Sequence, residues 1–100
     1  MTNKLRSIIA KRISMHPEYD LGIEECWKEA LKIVKDNLDA VVLFVNNDAT
    51  DEEVYWFSEI LCDIYDLLQD DSVIDAFQKR ANKMDDVEMK RSILQEIDHI

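Results

Sequence analysis

The stretch from Thr50 to Gln69, TDEEVYWFSEILCDIYDLLQ, decides the fold. It opens on a capping box: Thr50 can accept a hydrogen bond from the Glu53 amide while the Glu53 carboxylate reaches back to the Thr50 amide. Behind that cap the spacing predicts one continuous helix over Asp51 to Gln69. One face carries Val54, Phe57, Leu61, Ile64, Tyr65 and Leu68, and a second carries Trp56, Ile60 and Leu67. A helix apolar on two sides is touched on two sides, so it is expected at the centre of the fold. Tyr55 and Trp56 point about 100° apart on a helix, so one should face the core and the other be at least partly exposed. Trp56 fits the wide buried stripe better.

Outward from this helix the same periodicity continues. Ser72 should cap the next helix, with Val73, Ile74, Phe77, Ala81 and Met84 inward. Asp85, with Glu88 three residues on, should cap the last, where Met89, Ile93, Leu94 and Ile97 face the core. On the N-terminal side, Leu5, Ile8, Ile9 and Ile13 mark a first helix from about Asn3 to the residues before His16-Pro17, because a residue preceding proline avoids the helical region. Pro17 to Gly22 is the only conventional loop. Ile23, Cys26, Trp27, Ala30, Leu31 and Val34 then define an amphipathic helix with Lys28, Lys32 and Lys35 outward. Residues 38 to 45 have the β-branched content of a short buried strand. Leu38, Val41, Val42 and Val45 nevertheless fit helical spacing, and no second strand lies nearby to pair with. A short helix is the reading taken.

Gly22 and Pro17 are the only residues of their types, where average usage would supply roughly seven and five. A sheet protein of 100 residues needs more turn formers than that. The expectation is an all-α, compact single-domain bundle of five to six short helices spanning residues 1–100. The longest apolar run, Ala40 to Val45, is far shorter than the ~18 residues of a membrane span. No signal-peptide pattern opens the chain, and Cys26 and Cys62 make no disulfide framework, so a reducing cytoplasm is expected.

The charge is local. Twelve Lys and Arg against 22 Asp and Glu give −10. The balance is +2 over Met1 to Lys35 and zero over Lys79 to Ile100. From Asp36 to Gln78, 43 residues hold twelve acids and no Lys or Arg. Glu52, Glu59, Asp63, Asp66 and Asp70 lie three, four or seven apart and should share one flank of the central helix, repelling by a few tenths of a kcal/mol per pair. A solvated face would account for the acids. It would not account for the missing bases, since mixed signs solubilise equally well. A surface complementary to a cationic protein accounts for both, and the same charge disfavours nucleic acid or an anionic membrane as direct partner.

Sites for chemistry are scarce. His16 adjoins Pro17 and His99 is next to last, and neither has a neighbour resembling an activated nucleophile. Cys26 and Cys62 read as small core hydrophobes. Glu96-Ile-Asp-His99 fits half of a di-iron motif, with no second copy. Asp48 to Glu59 has acids at both ends of a calcium loop, but Glu53 occupies the position where glycine must turn. A single glycine forbids a Gly-rich phosphate loop. No catalytic residue, metal ligand or cofactor is therefore expected.

The run Tyr55-Trp56-Phe57-Ser58-Glu59-Ile60-Leu61, followed by Ile64, Ser72, Ile74 and Phe77, resembles small bacterial immunity proteins of polymorphic toxin systems. These include proteins linked to contact-dependent growth inhibition. The resemblance covers roughly Leu38 to Met84. It implies a stoichiometric inhibitor of a cognate toxin, often a nuclease whose basic cleft an acidic protein can cover. On that reading Asp48, Asp51, Glu52, Tyr55, Glu59, Asp63 and Asp66 are the candidate contacts, in a monomer or weak dimer. Ser58 could equally hold its helix by bonding back to the Val54 carbonyl. The alternative is a cytoplasmic adaptor or regulatory module that binds another protein through a helix groove.

Overall fold

Three helices of this chain begin where a carboxylate or hydroxyl receives the first free amides, at Thr50, Asp70 and Asp86. The computed structural model describes every residue except Met1, Pro17 and Tyr19, and describes Asp20 by its backbone alone. Its order is α1 (Thr2–Ser14), α2 (Asp20–Val34), α3 (Leu38–Leu43), α4 (Asp51–Phe57), α5 (Leu61–Leu68), α6 (Asp71–Lys83) and α7 (Val87–Asp98). A π-helical turn, Phe44–Asp48, extends α3, and a 3₁₀ turn, Ser58–Ile60, joins α4 to α5. No strand occurs among the described residues. The all-α bundle is as expected, and residues 38 to 45 are helical. With α4 and α5 taken as one broken helix, the count is six.

The capping box at Thr50 forms in full: the Glu53 amide donates to Oγ1 at 3.1 Å and the Thr50 amide to Glu53 Oε1 at 2.8 Å. Two other caps shift by a residue or two from expectation. Asp70, not Ser72, caps α6, accepting from the Ser72 amide at 2.9 Å. Asp86, not Asp85, caps α7, accepting from the amides of Glu88 and Met89. Each is a charge-assisted bond at the positive end of a helix dipole, where a carboxylate gains the most. At the N-terminal side, α2 begins at Asp20, so Gly22 lies inside its first turn and not in a loop. The rest of the expected Pro17 to Gly22 loop includes Pro17 and Tyr19, outside the described residues.

The predicted continuous helix from Asp51 to Gln69 is broken. Ile60 takes φ −110° and ψ 21°, and the 3₁₀ turn separates α4 from α5. Two C-termini close through left-handed residues that are not glycine: Asp36 at φ 66° after α2, and Gln69 at φ 52° after α5. Gln69 donates its amide to the Tyr65 carbonyl at 2.7 Å, which terminates α5.

The core is built around three fully buried phenylalanines. Phe57 at the end of α4 meets Phe44 of the π turn edge-on, centroids 6.0 Å apart at 78°. It meets Phe77 of α6 at 5.7 Å and 45°. Val41, Val45, Val54, Leu61, Ile64, Val73 and Ile93 close around them, and Leu5, Ile9, Cys26, Ala30 and Val34 extend the core into α1 and α2. Edge-to-face pairs of this kind add about 0.5–1.5 kcal/mol beyond area burial.

A left-handed glutamine costs about 1–2 kcal/mol relative to glycine in the same conformation, part of which glycine returns as unfolded-chain entropy. Gln69→Gly should therefore raise stability by about 0.5–1 kcal/mol, read as a higher urea midpoint with an unchanged slope. A lower midpoint would show that the Gln69 side chain, which donates to the Asp66 carbonyl, matters more than its backbone.

Candidate functional site

The acidic segment has no lysine or arginine of its own, yet three of its acids are ion-paired. Arginines from α1 and α6 supply the opposite charge. Arg6 donates to Glu53 Oε2 at 2.8 Å and Oε1 at 3.2 Å, and to the Asp48 carbonyl at 2.6 Å. Arg80 donates from Nη1 to the carbonyls of Val45 and Ala49 and from Nη2 to Asp51 Oδ1, all between 2.7 and 2.8 Å. The π turn explains the carbonyls. The Ala49 amide bonds back to Phe44, one residue further than in an α-helix, and so leaves the Val45 carbonyl open. Arg80 fills that vacancy.

The third arginine is the most buried. Arg12 is 7% exposed and makes a two-pronged bond to Glu59, Nε to Oε1 and Nη2 to Oε2, both at 2.8 Å. Glu59 sits in the 3₁₀ turn and also accepts from Trp27 Nε1 of α2 at 3.1 Å. The Arg12 guanidinium lies 4.8 Å from the centre of the Trp56 ring. One cluster thus ties α1, α2, α4 and the 3₁₀ turn. Ser58 is buried and donates to the Tyr55 carbonyl at 2.5 Å, three residues back, not to Val54 as expected.

The candidate residues do not share one flank. Asp51 and Glu59 are committed to Arg80 and Arg12. Asp63 and Asp66 border a groove between α5 and α2, where Lys28, Lys32 and Lys35 form the other side. Tyr55 and Glu59 line a small recess of about 170 Å³ with Trp56, Ser58, Ser92 and Glu96. Tyr55 and Trp56 are both half-buried and meet edge-on at 5.5 Å, so the expected split into one core-facing and one partly exposed ring is not seen. Asp48 and Glu52 are exposed, with no side-chain partner among the described residues. Asp70 spends its charge on the α6 cap, and Asp71 accepts from the Tyr65 hydroxyl at 3.0 Å.

Sequence reasoning missed Arg6, Arg12, Arg80 and, at the recess, Glu96. A signal existed for two of them. Arg12 falls on the Leu5, Ile8, Ile9 stripe, and Arg80 on the Val73, Phe77, Ala81 stripe. A charge on an apolar stripe must be met by an opposite charge or by carbonyls. The long spacings, 47 residues for Arg12 and Glu59, carried no local hint.

Protonation follows these contacts. Burial pushes the Glu53 carboxyl up, but the Arg6 bond and charge with the Thr50 cap outweigh it and hold it below the usual carboxylate range. Asp70 is lowered by its bonds to Ser72. Burial raises both thiols, Cys26 and Cys62, away from nucleophilic form. Cys26 donates to the Ile8 carbonyl at 3.2 Å, a packing role. Among the described residues no group of three or more His, Cys, Asp and Glu converges as a metal site requires.

A carboxylate whose folded pKa is depressed stabilises the fold fully above its unfolded pKa and loses that contribution as pH falls through the folded one. Stability should decline from about pH 5 downward, and Glu53→Gln should lower it at neutral pH while flattening the decline, as measured by urea midpoints across the range. Glu59→Gln leaves the Arg12 charge buried and should cost about 3 kcal/mol. Arg12→Met leaves only a carboxylate that reaches water and should cost less, and the double variant less than the sum. Equal and additive losses in denaturant unfolding would show the pair to be uncoupled. Comparison with known protein families, curated proteins and solved structures found no significant match, so the functional reading rests on the residues themselves.

Proposed function

We propose that the chain is a non-catalytic protein-binding inhibitor, an immunity protein that neutralises a cognate basic toxin domain, such as a nuclease, in the cytoplasm. The observation that carries this reading is the recess between α4 and α7. Glu96 and Tyr55 line it with Trp56 and the Arg12-bound Glu59, and no lysine or arginine lines it. Glu96 has no ion-pair partner among the described residues, and with the Tyr55 ring beside it suits a lysine or arginine side chain from a partner. Glu52 stands one helical turn before Tyr55 and extends the same acidic strip.

The structural pairs redistribute the candidate contacts. Asp51 and Glu59 already hold arginines of this chain, so their substitution would confound binding with folding. Glu52 and Glu96 carry no such duty among the described residues and are the clean probes. Tyr55 lies beside Glu96 in the recess, and the exposed Asp48 adds to the local negative charge. The surface charge remaining after internal pairing supplies long-range attraction, and the recess supplies the anchor around which an interface concentrates its energy.

An immunity gene is expected beside its toxin gene, so the product of the adjoining reading frame is the test partner. Co-expression should restore growth to cells carrying that toxin. Glu52→Lys/Glu96→Lys should weaken the complex at least tenfold, with only a small loss of thermal stability from the charge reversed in the first turn of α4, and added salt should weaken it further. Growth arrest that persists, or an affinity indifferent to both charge reversal and salt, would overturn the reading.

A further inference from the structure

We infer that the groove between α2 and α5 is a self-association surface that takes a second copy of this chain. The groove has walls of opposite sign. Lys28, Lys32 and Lys35 form the α2 wall, and Asp63 and Asp66 the α5 wall. Leu31 and Leu67 lie between them. Leu67 is 45% exposed, the most open apolar side chain of the broken central helix.

These charges do not neutralise one another. The ion pairs among the described residues all involve Arg6, Arg12 or Arg80, and none joins a groove lysine to a groove aspartate. Five charges thus stand across an apolar strip in two separated rows. Symmetry gives that arrangement a definite consequence. A two-fold axis along the groove lays the lysine row of each copy over the aspartate row of the other and brings the leucines together. A two-fold axis across the groove would set like on like. The surface is therefore self-complementary in one orientation, as an isologous interface must be. A helix spacing of seven residues puts Lys28 and Lys35 about 10 Å apart, a row long enough to face both aspartates.

A cationic partner is a poor occupant, because three lysines meet it there. The inference is independent of the inhibitor reading and leaves the α4–α7 recess open. Each copy carries −10 overall, so association requires that long-range repulsion be screened while contact pairs persist. That condition holds near ~0.15 M salt, where screening sets in beyond about 8 Å, and fails near ~1 M, where it reaches about 3 Å.

Sedimentation equilibrium of the wild-type chain reads the outcome without any toxin. At intermediate salt the mass should rise with concentration from 11.8 kDa towards twice that value, and the rise should vanish at high salt. Lys28→Glu/Lys32→Glu and Asp63→Lys/Asp66→Lys should each remain monomeric, because like charges then oppose. Mixed in equal amounts, the two variants should form a mixed dimer, since every acidic row then faces a basic one. The milder Lys28→Gln/Lys32→Gln, which adds no repulsion, should weaken association at least fivefold with an unchanged circular dichroism spectrum. A wild-type chain that stays monomeric, a reversal variant that still dimerises, or a mixture that stays monomeric would each overturn the proposal.

Discussion

A guanidinium that has lost nearly all of its water cannot remain unpaired, and Arg12 is such a group. Transfer of an ion out of water costs several kcal/mol, recovered only if both prongs and the ring face are occupied. Glu59 provides the prongs, Trp56 the face, and Trp27 a second donor to the same carboxylate. None of these partners is adjacent to Arg12 in sequence. Such a pair adds little stability over a well-packed apolar substitute, but losing one partner leaves the other charge buried and uncompensated. With α1 in place against α4, the carboxylate at position 59 has one charged partner within reach.

The same logic holds around the π turn. Its geometry opens the Val45 carbonyl, and Arg80 and Arg6 close on the Val45, Asp48 and Ala49 carbonyls from two helices. The arginines that receive those carbonyls also neutralise Asp51 and Glu53. A segment that looked electrostatically frustrated is therefore partly satisfied by charges from elsewhere in the chain. What stays available to a partner is fewer than twelve acids and is divided among several places: the exposed Asp36, Asp39, Asp48, Glu52 and Asp75, the α4–α7 recess, and the α2–α5 groove.

The helices themselves were legible because their signals are local. The stripes of α1 and α2 and the Thr50 box involve residues within one or two turns of each other and occur as read; in α6 Val73, Phe77, Ala81 and Met84 are buried as expected, but Ala76 takes the inward place expected of Ile74. The caps of α6 and α7 were misplaced because several carboxylates and a serine compete within three residues, and propensity alone does not choose among them. The break at Ser58 was invisible because Ser, Glu and Ile are all compatible with an α-helix. Nothing in a 20-residue window records that Glu59 must turn towards an arginine 47 positions away. The site suffered the same loss: Glu96 joins Tyr55 and Glu59 only after α7 folds onto α4.

The absence of bases from residue 36 to 78 has a structural reason that composition did not suggest. Helix C-termini leave carbonyls unsatisfied and favour a positive charge, and neither α3, the π turn, α4, the 3₁₀ turn nor α5 carries a basic residue in its last turn. In a chain with a single glycine, those ends cannot all close through left-handed glycines either. Asp36 and Gln69 accept the left-handed conformation, and Arg6 and Arg80 cap the π turn from outside. Capping, ordinarily a local matter, is here delegated to distant helices. The carbonyls of the π turn are then satisfied only when α1 and α6 are docked, which couples the completion of that turn to global folding. It also frees the segment's own surface from lysine and arginine. The segment's own surface is left acidic because the positive charge that its π turn uses comes from Arg6 and Arg80 of other helices.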